Sequence, residues 1–123
     1  MKTIATSGAP AAIGPYAQAK VSGSLVFTSG CIPLDPTTGS VVGDTIAAQA
    51  EQAIANLRAI LEAAGSSLKK VIKTTCFLAD MADFAVFNDV YALYFTERPA
   101  RSCVAVRELP KGVLCEIEAI AEL

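Results

Sequence analysis

The sequence contains no histidine and no tryptophan. Without histidine, neither a Ser-His-Asp nor a Cys-His mechanism can operate within the chain, and a zinc site of mixed Cys/His type cannot form. Acid–base work must fall to a carboxylate, tyrosine, lysine, cysteine or bound water. There are four cysteines, Cys31, Cys76, Cys103 and Cys115, and none stand as a Cys-x-x-Cys pair. They read as reduced thiols packed as small apolar groups rather than as a disulfide framework or a metal centre. Net charge is only −2, from ten basic and twelve acidic residues. The basic residues form no block beyond Lys69, Lys70 and Lys73, so the positive footprint that nucleic acid requires is missing. No apolar run nears the roughly 20 residues that span a bilayer. Met1 to Ala5 carries no extended apolar signal region, so the chain is expected in the cytoplasm, away from membranes.

What is abundant is apolar surface. Of the 123 residues, 53% are hydrophobic and 18% charged, against the roughly 45–50% apolar share usual for globular domains. Residues 1–123 are expected to form one domain. A domain of this size cannot hide so much apolar surface in one core, which points to a buried subunit interface.

The N-terminal third is rich in Gly and Pro and reads as short strands joined by turns. Ala17 to Val21 and Leu25 to Ser29 form an expected hairpin around Ser22-Gly23-Ser24, followed by a loop through Asp35 to Gly39. Ile46, Ala50, Ala53, Ile54, Leu57, Ile60, Leu61 and Ala64 recur at three- and four-residue steps and predict an amphipathic helix, capped by Asp44 or Thr45 and closed by Gly65. Val71 to Leu78 is β-branched and aromatic, as strands are. Asp80 is an expected cap for a second helix with Met81, Phe84, Phe87, Val90, Tyr91 and Phe95 on its apolar stripe, ended by Pro99. Ser102 to Val106 and Leu114 to Leu123 are the closing strands. The order β-β-β-α-β-α-β-β argues for an α+β sandwich, with one mixed sheet and both helices on one face.

In the last strand, Cys115, Ile117, Ala119, Ala121 and Leu123 alternate with Leu114, Glu116, Glu118, Ile120 and Glu122. The first set suits the helix-covered side. Glu116 and Glu118 then share the other face, roughly 6.5–7 Å apart. Two such carboxylates can raise one another's pKa and supply a general acid or base, or they can form a plain acidic surface. Arg101, at the start of a strand, presents a planar fork that matches a carboxylate ligand, though a sheet glutamate would also satisfy it. Tyr16 is a candidate pocket-edge phenol or a core tyrosine. The backbone N–H of Gly30 can approach a ligand closely, or the glycine can simply make a turn.

Taken together these segments resemble the reactive intermediate deaminase family, also called the Rid or YjgF family. The residues carrying the resemblance are Ala11 to Tyr16, Val26 to Gly30, Asp83 to Asn88, Pro99 to Val104, and Leu109-Pro110-Lys111 with Glu116 to Ala121. The resemblance implies a fold like the small trimeric chorismate mutases and a homotrimer with clefts between subunits. It implies hydrolysis of 2-aminoacrylate (2-iminopropanoate) and 2-iminobutanoate to 2-oxo acids and ammonia, with no cofactor and no metal. On this likeness Arg101 holds the substrate carboxylate, Glu116 positions water and Tyr16 stands at the pocket. Gly30 and Cys103 complete the carboxylate cradle, and Ser29 and Asn88 line the cleft. One departure stands out: the family usually reads Ser-Gly-Gln-Ile-Pro where this chain has Ser29-Gly30-Cys31-Ile32-Pro33, and cysteine is a much poorer hydrogen-bonding group than glutamine. Two other functions fit a chain of this kind: a non-catalytic module binding 2-oxo acids through the same Arg101, and an endoribonuclease or translation inhibitor, as some family members have been described.

Overall fold

The computed structural model describes residues 1–123. Eight regular elements follow one another in the expected order: β1 (Lys2–Ile4), β2 (Ala19–Ser22), β3 (Leu25–Thr28), α1 (Ile46–Ala63), β4 (Val71–Leu78), α2 (Phe84–Tyr94), β5 (Ala100–Ala105) and β6 (Cys115–Glu122). The strands form one six-stranded sheet in the order β1-β2-β3-β6-β4-β5. Only β4 and β5 are parallel, joined by the crossover through α2; every other neighbouring pair is antiparallel. The sheet is therefore mixed, and both helices cover one of its faces, giving the α+β sandwich expected from the element order.

Helix α1 forms where the apolar period demands it. Thr45, in extended conformation, accepts the Ala48 N–H with its side chain and caps the first turn. Gly65 follows the last turn at φ +87°, a left-handed conformation that glycine adopts without penalty. Ala50, Ala53, Ile54, Leu57 and Leu61 are fully buried against the sheet and α2. The second helix starts later than its apolar stripe suggests. Asp80 accepts the Ala82 N–H with its side chain at 2.8 Å, but the turn it caps, Met81–Asp83, is a 3₁₀ turn, and Met81 is exposed. The α-helix proper runs from Phe84, and Phe87, Val90 and Tyr91 are its buried residues.

On the sheet, Thr74, Cys76 and Leu78 of β4 and Cys115, Ile117, Ala119 and Ala121 of β6 are buried beneath the helices. A β-bulge between Val71 and Lys73 breaks the strict alternation of β4 and leaves Ile72 exposed. Leu123 lies beyond the end of β6 and is exposed rather than turned into the core. Strand β1 has only three residues and no sequence pattern of its own; it exists because Lys2 to Ile4 can pair with Val21 to Ala19.

Two polar side chains on α1 tie down the connections that flank the sheet. Asn56 is buried and donates to the carbonyls of Ile32 and Leu34 at 3.0 and 2.9 Å. Gln49 accepts the Leu114 N–H at 2.7 Å and donates to the Gly43 carbonyl at 3.0 Å. Each satisfies backbone groups that the sheet does not.

The opposite face of the sheet carries no helix. The cross-strand register places its residues in three rows: Phe27–Ile120–Lys73–Ala100, Glu118–Thr75–Ser102 and Glu116–Phe77–Val104. Phe27 is 42% exposed and Val104 47% exposed. This face is thus part apolar and part acidic.

Because Leu57 is fully buried at the α1–sheet contact, Leu57→Ala is expected to cost about 2–5 kcal/mol, read as a lower urea midpoint in equilibrium unfolding.

Candidate active site

The site starts where the β3–β6 ladder is interrupted. Leu25 to Phe27 pair with Glu122 to Ile120. At the next step the Thr28 side-chain hydroxyl, not a backbone carbonyl, accepts the Ala119 N–H at 3.0 Å. Pairing resumes three residues on. Cys31 and Ile117 exchange both backbone hydrogen bonds, at 2.7 and 3.0 Å. Ser29 and Gly30 are the residues left between. Ser29 is held from the β2 side: its N–H donates to the Gln18 carbonyl at 2.9 Å and its hydroxyl to the Ala17 carbonyl at 2.6 Å.

Gly30 lies directly under the Glu116 carboxylate. A Cβ on Gly30 would meet Glu116 Oε2 at 1.9 Å, a separation no real contact tolerates, so only glycine lets the carboxylate occupy this position. Glu116 is partly buried on the helix-free face. Burial pushes its pKa above the ordinary carboxylate value and the Glu118 charge pushes it further the same way; no cation offsets them. Tyr16, with its side chain 54% exposed, lines a recess together with Gly30. Its hydroxyl accepts the Ile13 N–H at 3.4 Å. Tyr16, Ser29 and Gly30 line one recess of about 480 Å³, walled by the segment before Tyr16, the loop after Gly30 and Ile60 of α1.

Arg101 belongs to the other face. It lies within β5, paired with Thr74, and not in front of the strand. Its side chain turns under α2. The guanidinium donates to Asn88 Oδ1 at 2.8 Å and lies over the Tyr91 ring at 4.7 Å and the Phe84 ring at 5.5 Å. Phe84, Asn88 and Tyr91 are four and three residues apart on one helix, hence on one side of it. Tyr91 is itself fixed by a buried hydrogen bond between its hydroxyl and that of Thr74, at 2.7 Å. The guanidinium is thus oriented by one hydrogen bond and two ring faces, with no carboxylate of this chain neutralising it. That leaves its fork available to a carboxylate ligand. Cys103, two residues on, shares the Arg101 side and packs against the core. Burial raises its thiol pKa, against a smaller opposing pull from the Arg101 charge.

Within one chain, then, the seven candidate residues fall into two groups. Tyr16, Ser29 and Gly30 line one recess, and Glu116 lies against Gly30 on the helix-free face. Arg101, Cys103 and Asn88 gather at the edge strand on the α2 side. Strand β4 lies between β5 and β6, so the sheet itself separates the guanidinium from the carboxylate. Sequence reasoning assigned Phe84 and Tyr91 to the core and overlooked their role beneath Arg101; their shared helical face with Asn88 was the available signal. It also overlooked Asn56, whose hydrogen bonds hold the loop after Gly30.

No cluster of three or more His, Cys, Asp or Glu side chains is placed to hold a metal ion. No helix is long and apolar enough to cross a membrane.

The α+β sandwich that carries these two groups is one that known proteins share. Residues 6–123 match the family described as Endoribonuclease L-PSP, and the chain belongs to that family. A protein of Salmonella typhimurium named 2-iminobutanoate/2-iminopropanoate deaminase is 56% identical over 124 residues, covering 98% of this chain and 96% of the relative. Among solved structures, Escherichia coli TdcF with bound serine superposes with a TM-score of 0.95 at 49% identity, covering 100% of this chain and 99% of that one. The Escherichia coli YjgF gene product superposes at 0.94 and 52% identity, covering 99% and 98%. The fold and family implied by the sequence resemblance therefore hold.

Removing the neighbouring charge makes ionisation of Glu116 easier. Glu118→Gln is therefore expected to lower the Glu116 pKa toward the ordinary carboxylate value, seen as a downward shift of its side-chain ¹³C titration midpoint by NMR. An unmoved midpoint would mean that burial alone sets it.

Proposed function

We propose that this chain is an enamine/imine deaminase. It hydrolyses 2-aminoacrylate (as 2-iminopropanoate) and 2-iminobutanoate to 2-oxo acids and ammonia, in the cytoplasm, without cofactor or metal. The observation that carries this reading is the division of the site into two complementary halves. One half is an arginine with an open fork, the other a carboxylate of raised pKa lying on a glycine. The deaminase name borne by a relative 56% identical over nearly the whole chain supports the same reading.

The halves meet when the helix-free face of one copy is covered by another. We take that assembly to be a homotrimer with a cleft at each contact, which would also cover Phe27, Phe77, Val104 and Ile120. In such a cleft Arg101 of one copy receives the substrate carboxylate in a bidentate pair, with Cys103 and Asn88 beside it. Glu116 of the next copy holds a water against the C=N carbon, next to Tyr16, Ser29 and the Gly30 backbone. The water oxygen adds to carbon and the π electrons move to nitrogen. Glu116 accepts the water proton and returns it to nitrogen, for which a pKa nearer neutrality is well suited. The carbinolamine then collapses: the hydroxyl proton passes through Glu116 to the amino nitrogen, the C–N electron pair leaves with it as ammonia, and the O–H bonding pair becomes the second bond of the carbonyl. Imines already react with water, so orientation supplies much of the acceleration, and no histidine is called for.

The family description favours ribonuclease activity as a second reading. The chain's chemistry does not support it: there is no histidine and the net charge is −2. A salt-sensitive affinity for RNA would revive it.

Arg101→Ala is expected to lower kcat/KM for an imine generated in situ by about 100-fold or more, with the oligomer intact by sedimentation. Near-normal turnover would sink the assignment. Glu116→Gln is expected to slow turnover far more than it weakens binding of a 2-oxo acid; intact binding with no turnover in the unmodified protein would instead identify a binding module. A mixture of the two variants, dissociated and reassembled together, is expected to recover part of the activity, since some clefts then combine an intact Arg101 with an intact Glu116. Absence of any recovery would place both residues of a working site in one chain.

A further inference from the structure

Helix α2 does more than cover the edge of the sheet. Phe84, Asn88 and Tyr91 share one side of it, and all three meet the Arg101 guanidinium. Asn88 Oδ1 accepts from Nη1 at 2.8 Å, and Cζ lies 4.7 Å from the Tyr91 ring centroid and 5.5 Å from that of Phe84. A guanidinium only donates, so the Asn88 amide turns its oxygen toward it. None of the three partners is charged.

The Tyr91 ring is itself held from two directions. Its hydroxyl is hydrogen-bonded to that of Thr74 at 2.7 Å, and its face stacks on Phe95 with 4.2 Å between centroids. Thr74 is fully buried in β4 and stands opposite Arg101 in the ladder. The strand residue beside the Arg101 backbone therefore also fixes the ring over which the Arg101 side chain lies.

Asn88 occupies Nη1 alone. The edge formed by Nε and Nη2 makes no side-chain hydrogen bond within the chain, and its two parallel donors match the two oxygens of a single planar carboxylate. Each neutral contact holds the guanidinium still without cancelling its charge. A ligand carboxylate then meets an arginine that is already ordered, and it has no internal anion to displace.

We propose that Asn88 and Tyr91 are positioning residues for substrate binding, which hold Arg101 through uncharged contacts alone, and that the absence of charge on the Asn88 side chain sets the affinity of the site for a 2-oxo or 2-imino carboxylate. This rests on the deaminase reading only through the carboxylate-holding role that reading gives Arg101, and not on turnover.

The test measures calorimetric affinity of the assembled protein for pyruvate, a stable 2-oxo acid. Asn88→Asp is nearly isosteric and keeps an acceptor facing Nη1. A purely structural role for this residue would therefore make Asn88→Asp bind at least as well as the unmodified protein and leave Asn88→Ala the weaker variant. The proposal reverses that order. In Asn88→Asp the new carboxylate neutralises the guanidinium and repels the ligand, so affinity is expected to fall about tenfold or more. In Asn88→Ala the fall is expected to be smaller, about two- to fivefold, the cost of ordering one freed side chain. Tyr91→Phe keeps the ring and is expected to bind more tightly than Tyr91→Leu, which loses it; this pair carries the test if a substitution of Asn88 does not fold. Asn88→Asp binding as tightly as Asn88→Ala or better, Tyr91→Leu matching Tyr91→Phe, or no pyruvate binding by the unmodified protein would overturn the proposal. With an imine made in situ, Asn88→Asp is expected to raise KM more than it lowers kcat, because Glu116 lies in the other half of the site; a loss confined to kcat would count against the proposal. If the affinities follow the expected order while the unmodified protein accelerates no imine hydrolysis, the neutral brace stands and the deaminase reading fails.

Discussion

Between Thr28 and Cys31 the ladder joining β3 to β6 is held open by one side-chain hydroxyl and closed again by one backbone pair. The features of the helix-free face are arranged around that gap. Thr28 satisfies Ala119, so the interruption leaves no orphaned amide. The Cys31–Ile117 pair brings the chain back into register. Ser29 and Gly30 are thereby presented beside β6, where a missing Cβ gives the Glu116 carboxylate its place. Asn56, reaching out from α1 to the carbonyls of Ile32 and Leu34, anchors the far side of the same loop. A rigid helix therefore supports a short irregular segment, which positions a charged group more accurately than a free loop does.

The arginine is braced by a different logic. Its partners are a neutral amide and two aromatic faces, and none of them cancels its charge. A carboxylate neighbour from the same chain would have bound it more strongly and left it of no use to a ligand. The acid at the other half is treated in the opposite way. It sits near a like charge and partly out of water, both of which oppose ionisation. The cation is kept unpaired and the anion strained toward its neutral form, on two faces of a sheet that keeps them apart within one chain. In the proposed assembly each becomes the neighbour of the other's ligand.

Much of this was legible in the sequence, and the exceptions have physical causes. Helix α1 and strand β6 announce themselves because each has one wet and one dry side, so period and alternation are strong. That alternation also assigned Glu116 to the uncovered face. Strand β5 gives no such signal. Its two sides carry Ala100, Ser102 and Val104 against Arg101, Cys103 and Ala105, small and mixed on both, so the side on which Arg101 falls could not be read. The apolar stripe extended one turn too far at the start of α2, because Met81 fits the period but stands in a 3₁₀ turn. Strand β1 is too short for any pattern. The family likeness supplied the candidate site residues; the spacing of Arg101 and Glu116 alone left structural roles open for both. What it did not supply was the space behind Gly30, which depends on how three separated segments pack.

The four thiols carry one further consequence. Burial pushes Cys31, Cys76 and Cys115 up to about 12, and raises Cys103 as well. At neutral pH a thiol of that acidity is ionised in about one molecule in 10⁵, against a few per cent for a free cysteine. Since the thiolate is the nucleophile, the three buried sulfurs of Cys31, Cys76 and Cys115 are close to inert toward alkylation. An electrophile that reaches this chain therefore finds no imidazole and few thiolates. The chain's soft nucleophiles are thus chemically suited to survive repeated contact with reactive small molecules.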